Sequence, residues 1–187
     1  MHRIDESRPF ISVRIAVLTV SDTRTKKTDK SGPLLVSMIE QAGHKIAERA
    51  VAEDDVRAIR RQVKRWIKDK EVDVVITTGG TGFTGRDVTP EAVKPLFERE
   101  IDGFSVLFHM VSYDTVGTST VQSRACAGLA GGTYIFCLPG SPGACEDAWN
   151  GILKHQFDNR HRPCSFIEIM PRLRERRKKT KAQGAAE

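Results

Sequence analysis

Residues 72–91 read Val-Asp-Val-Val-Ile-Thr-Thr-Gly-Gly-Thr-Gly-Phe-Thr-Gly-Arg-Asp-Val-Thr-Pro-Glu. Val72–Thr77 is a short, β-branched apolar run of the length and character of a buried strand. It breaks into Gly79-Gly80-Thr81-Gly82. A helix start follows between Asp87 and Glu91, where Thr89 can cap and Pro90 suits the first turn. Strand, glycine loop and helix in succession are the repeating unit of an α/β domain.

The same alternation extends in both directions. Val13–Val20 is a second apolar strand that stops at Ser21-Asp22-Thr23, and Ser31-Gly32-Pro33 opens a helix through Gln41 that Gly43 terminates. A weaker strand follows over Lys45–Ala50. Either Asp54 or Asp55 can cap a helix running to Lys68, with Val56, Ile59, Val63, Trp66 and Ile67 at helical spacing. Downstream, Phe104–Val111 reads as helix and Tyr134–Leu138 as a buried strand. That strand breaks at Pro139-Gly140-Ser141-Pro142-Gly143, after which Ala144–Leu153 reads as helix and Phe166–Met170 as an edge strand. The expected architecture is a three-layer α/β/α domain with a mostly parallel sheet.

Composition sets the outer bounds. The chain has 187 residues and 39% hydrophobic content, enough for one domain with a core of its own. Its charge of +6 is unevenly placed, because residues 171–187 carry an excess of +5 and residues 1–170 only +1. The expected division is an extension over 1–12, the domain over 13–170 and a basic tail over 171–187. Basicity confined to a tail makes nucleic acid an unlikely partner of the body. No apolar run approaches the roughly 20 residues of a membrane span, and no signal peptide opens the chain, so a cytoplasmic protein is expected. Cys126, Cys137, Cys145 and Cys164 form no C-x-x-C pair, and Cys137 lies within an apolar strand. Core thiols are expected.

In open α/β sheets, ligands collect beyond the carboxyl ends of the strands. Three such ends carry unusual loops: Ser21–Thr23 with Asp29-Lys30-Ser31-Gly32, then Thr77–Asp87, then Leu138–Gly143. Glycines 79, 80 and 82 let backbone N–H groups converge on an anion, and threonine hydroxyls add donors. The same glycines also suit a tight turn. The loop lacks the Gly-Lys-Ser/Thr ending of a Walker A motif and does not fit G-x-G-x-x-G. Two anion loops on one face suggest either a polyphosphorylated substrate or two phosphorylated ones. Asp29, Asp54 and Asp87 also fall at expected strand-end loops, where carboxylates beside phosphates call for a bridging divalent cation.

Ser21-Asp22-Thr23, Asp29-Lys30-Ser31-Gly32-Pro33, Thr78-Gly79-Gly80-Thr81-Gly82, Arg86-Asp87-Val88-Thr89-Pro90-Glu91-Ala92, Ser123-Arg124 and Leu138-Pro139-Gly140-Ser141-Pro142 occur in one order along the chain. That series resembles the MoaB/MogA family of molybdenum cofactor biosynthesis proteins. Gly117-Thr118-Ser119-Thr120 ahead of Val121-Gln122-Ser123-Arg124 looks closer to the MoaB branch. The resemblance implies the molybdopterin-binding fold of that family. It also implies Mg-ATP-dependent adenylylation of molybdopterin, in which molybdopterin's terminal phosphate attacks the α-phosphate of ATP and pyrophosphate leaves. The alternative is a carrier homologue that binds molybdopterin without turnover.

By motif position, the resemblance makes Asp54 and Asp87 the catalytic pair and adds Asp29 to them as a candidate for Mg²⁺, with Asp22 weaker. Gly79, Gly80, Thr81 and Gly82 would cradle phosphate. Ser112 and Ser123 would line the molybdopterin side, and Gly140 with Ser141 would form the second anion loop. Lys30 and Arg86 would neutralise phosphate charge. The family commonly has Asn where this chain has Ser141. Homo-oligomers, a trimer or a hexamer built from trimers, and contacts with other proteins of the pathway are further implications.

Overall fold

The computed structural model describes residues 3–173 and residue 175. In chain order its strands are β1 (Arg3–Ile4), β2 (Arg14–Val20), β3 (Lys45–Ala52), β4 (Val74–Thr78), β5 (Arg99–Glu100), β6 (Cys126–Ala130), β7 (Thr133–Leu138) and β8 (His161–Arg162). The helices are α1 (Ser31–Gln41), α2 (Val56–Lys68), α3 (Thr89–Val93), α4 (Asp102–Val116), α5 (Pro142–Ala148), α6 (Lys154–Gln156) and α7 (Phe166–Ile169). The central sheet has six strands in the order β3-β2-β4-β7-β6-β5. β3, β2, β4 and β7 run parallel, β6 is antiparallel to β7, and β5 is antiparallel to β6, so β6 alone among the six is reversed. A separate two-stranded pair joins β1 to β8.

Strand side chains alternate between faces, and the alternation builds two cores. Ile15, Val17, Val74, Ile76, Phe136 and Leu138 pack beneath α1, α4 and α5 with Leu35, Phe108 and Trp149. Ala16, Leu18, Val75, Ile135 and Cys137 pack on the opposite face with Ile59, Val63 and Trp66 of α2. The three-layer expectation is met. Among the described residues no helix is long and apolar enough to cross a membrane.

Local chemistry accounts for most boundaries. α1 occupies the expected residues and gives way to Gly43 at φ +85°, a conformation natural to glycine. The cap of α2 is Asp55, whose carboxylate accepts the Ala58 N–H at 2.7 Å. Thr89 is the first residue of α3, not its cap, and its hydroxyl donates to the Gly79 carbonyl at 2.9 Å. The helix expected over 144–153 begins at Pro142, and its latter part, Trp149–Leu153, widens into a π turn.

The expected edge strand over Phe166–Met170 is instead a helical turn. Ser165 accepts the Glu168 N–H at 3.4 Å, and the Glu168 carboxylate takes Arg8 and Arg162. Serine followed three residues later by glutamate is a capping signature, and it outweighs the apolar run. β6 is a strand that the sequence reading left unassigned. The basic tail lies outside the described residues from Arg174 onward, apart from Glu175.

Candidate functional site

Because β2, β3, β4 and β7 are parallel, Ser21–Asp22, Glu53–Asp54, Gly79–Gly80 and Pro139–Gly140 emerge at one edge of the sheet. The loops are tied to each other directly. The Gly79 N–H donates to the Leu138 carbonyl at 3.0 Å, Thr78 Oγ1 to the Pro139 carbonyl at 2.8 Å, and Ser31 Oγ to the Gly140 carbonyl at 2.8 Å. Gly79 (φ +110°) leaves no room for a side chain, since a Cβ there would meet the Val20 carbonyl oxygen at 2.1 Å. Gly80 (φ +64°) is equally confined, by Thr89 Oγ1 at 2.4 Å and Asp54 Oδ1 at 2.9 Å. The glycines therefore allow close approach of backbone and carboxylate as well as a tight turn.

Between these loops lies a cavity of about 350 Å³, lined by Gly79–Gly82, Ser123 and Gly140 with Asp29, Lys30 and Asp87. A second cavity of about 520 Å³ adjoins it, between α4 and the N-terminal end of α5, and contains Ser112, Ser141, Thr115 and Asp147. Gln122, Ser123 and Pro139 border both. The residues expected to bind substrate are thus brought together as two chambers with a common wall. Gly140 faces the first chamber and Ser141 the second. The Ser141 hydroxyl also caps α5 by accepting the Ala144 N–H at 3.2 Å.

Asp54 and Asp87 flank the glycine loop in contrasting environments. Asp55 performs the capping, which leaves Asp54 to exchange hydrogen bonds with Asp22. The Asp22 N–H donates to Asp54 Oδ2 at 3.1 Å, and the Asp54 N–H to Asp22 Oδ1 at 3.0 Å. Burial, followed by repulsion from Asp22 and, more weakly, Asp87, pushes the Asp54 carboxyl above its ordinary range. Burial would do the same to Asp87. There, donation from the Thr84 hydroxyl and N–H and from the Gly82 N–H prevails and holds the carboxyl below its ordinary range.

Asp29 does not join this pair as a free ligand. Its carboxylate is buried and already accepts from Thr19 Oγ1 (2.6 Å), Arg49 (2.8 Å) and the Gly32 N–H (3.1 Å). Among the described residues no three His, Cys, Asp or Glu side chains converge as a metal cage. Arg86 lies against Asp22 in an ion pair, and Lys30 lines the first chamber.

Arg124 belongs to a motif quoted above but was given no role by the sequence. Its guanidinium donates to the carbonyls of Gly82 (2.8 Å) and Asp87 (2.6 Å) and pairs with Glu91, while its own N–H donates to the Thr81 carbonyl at 2.9 Å. It fastens the loop that carries Asp87 to the start of β6. Gln122, Thr115 and Asp147 were likewise unmarked, because polar residues in a helix and a 3₁₀ turn carry no spacing signal.

A family model described as "Probable molybdopterin binding domain" matches residues 16–159. Molybdenum cofactor biosynthesis protein B of Escherichia coli (strain K12) is 49% identical over 160 residues, which cover 86% of this chain and 94% of that protein. A crystal structure of a molybdenum cofactor biosynthesis protein B superposes with a TM-score of 0.76 at 44% identity, covering 79% of this chain and 92% of the other. The tungsten cofactor synthesizing protein MoaB from Pyrococcus furiosus gives 0.73 at 33% identity, with 88% and 98% covered. The chain therefore belongs to the molybdopterin-binding domain family of molybdenum cofactor biosynthesis.

Proposed function

We propose that the chain is a molybdopterin adenylyltransferase: the terminal phosphate of molybdopterin attacks the α-phosphate of ATP, a new P–O bond forms, and pyrophosphate leaves. The observation that carries this reading is the pair of chambers sharing Gln122, Ser123 and Pro139, with Asp54 and Asp87 flanking the loop of the first. Two phosphorylated substrates need two adjoining sites and a short path between them. On this reading the amides of Gly79–Gly82 and the Thr81 hydroxyl hold the nucleotide phosphates. Ser112, Ser123 and Ser141 contact molybdopterin, and Lys30 with Arg86 offsets phosphate charge.

Mg²⁺ fits the donor set. Asp54 and Asp87 offer hard carboxylate oxygens beside the Cβ-free Gly80 and Gly82, and the repulsion around Asp54, which the Asp22 N–H and Arg86 offset only in part, is what a cation relieves. Held by Asp54 and Asp87, it would neutralise charge on the leaving pyrophosphate. The remaining task of the chain is positioning, which suffices for transfer at phosphorus without a covalent nucleophile. Asp29, paired with Arg49, supports the loop instead of serving as a ligand.

The proposal extends to self-association. Val106, Met110 and Tyr113 stand outward along α4 and are 57–61% exposed, flanked by Leu107 and Val116. An apolar stripe of this kind supports the trimer or hexamer that the family resemblance implies.

Anaerobic incubation with molybdopterin and Mg-ATP, with quantitation of adenylylated molybdopterin and pyrophosphate, tests the reading. Wild type is expected to form both, and Asp54→Asn and Asp87→Asn each to lose about 100-fold or more. Binding of molybdopterin by wild type without product would make the chain a carrier.

A further inference from the structure

Cys126 and Cys137 take no part in the chemistry above. They are direct partners in the antiparallel β6–β7 ladder and share the sheet face that α2 and α3 cover. Opposed residues of an antiparallel pair lie about 4.5–5.5 Å apart at Cα, inside the roughly 4.4–6.8 Å that a disulfide spans. Cys137 is completely buried. Cys126 is nearly so, but it borders a cavity of about 580 Å³ that runs from Pro90 and Lys94 to Ile101 and Ser105 and includes Arg124. One thiol of the pair therefore adjoins a space large enough for a small molecule, and the other lies behind it.

The electrostatics divide the pair in the same sense. Contact with Cys137 draws the Cys126 thiol below its ordinary range against the effect of burial, with Lys94 and Arg124 assisting and Glu100 opposing. That contact and complete burial push Cys137 well above its own. Cys145 is different. It packs on the other sheet face, where burial lifts its thiol to about 11.

We propose that Cys126 and Cys137 are a thiol–disulfide modification site for small organic disulfides that enter through this cavity. The Cys126 thiolate attacks one sulfur of the incoming disulfide. The S–S bond of the reagent breaks, a mixed disulfide forms on Cys126, and the displaced sulfur leaves as a thiol after taking up a proton. The Cys137 sulfur then attacks Cys126, releasing the second thiol with the Cys137 proton. Two protein thiols are oxidised to one cross-strand bridge, and one small disulfide is reduced to two thiols.

The bridge would lie directly beneath the functional site. Thr77 of β4 partners Cys137, which partners Cys126, so one rung crosses three strands. The next residues along those strands include Thr78 and Gly79, Pro139 and Gly140, and, preceding β6, Ser123 and Arg124. Linking the rung would stiffen the base of the loops that β4, β6 and β7 contribute to the first chamber.

The test is to expose the full chain to glutathione disulfide, alkylate the remaining thiols under denaturing conditions, and map the peptides. Exposed Cys164 is the internal control for reagent activity. The expected result is a Cys126–Cys137 bridge reversed by dithiothreitol, with Cys145 still reduced. In Cys137→Ser, Cys126 should retain the glutathione adduct, since nothing displaces it. Recovery of both Cys126 and Cys137 as free thiols while Cys164 is glutathionylated would overturn the proposal. So would a wild-type Cys126 adduct that never resolves into the bridge. Should Cys137→Ser fail to fold, the wild-type map decides alone.

Discussion

Asp54 and Asp55 are adjacent and chemically identical, yet they serve different ends. Asp55 adopts extended backbone and turns its carboxylate back onto the Ala58 N–H. Asp54 faces Asp22 and the glycine loop. Residue type leaves either one free to cap, and only the backbone path out of β3 decides. Substitution should separate them. Asp55→Ala is expected to cost about 1 kcal/mol of stability in urea unfolding while adenylyl transfer continues. Asp54→Asn should leave stability unchanged or higher at neutral pH, since it removes a carboxylate held above its ordinary range, while transfer is lost. Glycine 79 gives a sharper case. In Gly79→Ala a positive φ and contact with the Val20 carbonyl act together, so destabilisation should exceed about 1 kcal/mol in the same measurement. A result within error of wild type would mean that the loop can move away from β2.

The elements divide by the strength of their local signals. α1, α2 and the parallel strands were legible because apolar periodicity, caps and glycine stops agree. β6 was not, because Cys-Ala-Gly-Leu-Ala has little intrinsic preference for a strand and is held there by pairing with β7. Gly128 is small for a tertiary reason, since a Cβ would strike the Phe97 ring at 2.3 Å. β6 also explains why Gln122 of the common wall came without a role from the sequence. Running antiparallel, it delivers its first residues, not its last, to the functional edge, and Gln122, Ser123 and Arg124 arrive with them. The loop from Thr81 to Glu91 is fastened to this element by Arg124. Arg124→Ala is expected to destabilise the fold by about 2 kcal/mol and to lower transfer. Arg124→Lys should restore much of the stability but less of the activity, because one ammonium cannot reach both carbonyls in the planar geometry of guanidinium. Equal recovery of both would reduce Arg124 to a packing residue.

At the scale of the whole molecule, buried ionisable groups predict how the fold responds to acid. His44 packs among Phe10, Trp149 and Phe157, and burial holds its pKa below the ordinary value of 6.5, with Asp158 opposing. Its contribution is complete above about pH 6.5 and is lost as pH falls through the lower folded value. Asp29 and Asp73 come later. Burial alone would raise both, but Thr19 and Arg49 for the first, and Arg14 for the second, hold them below the usual range. Their contribution is complete above about pH 3.9 and disappears below it as the folded values are crossed. Melting temperatures measured against pH should therefore fall in two stages, with His44→Asn flattening the first; a single late drop would contradict this. The outward stripe on α4 belongs to the same scale. Met110→Glu is expected to lower the solution mass seen by light scattering without unfolding the chain, and an unchanged mass would move the interface elsewhere. The two chambers have one more consequence, concerning order and not chemistry. In the proposed transfer, nucleotide and pterin have Gln122, Ser123 and Pro139 as a shared wall, so a molecule that settles them on one side alters the welcome on the other. Thermodynamic reciprocity then requires that whatever factor the nucleotide imposes on pterin affinity, the pterin imposes on nucleotide affinity in equal measure.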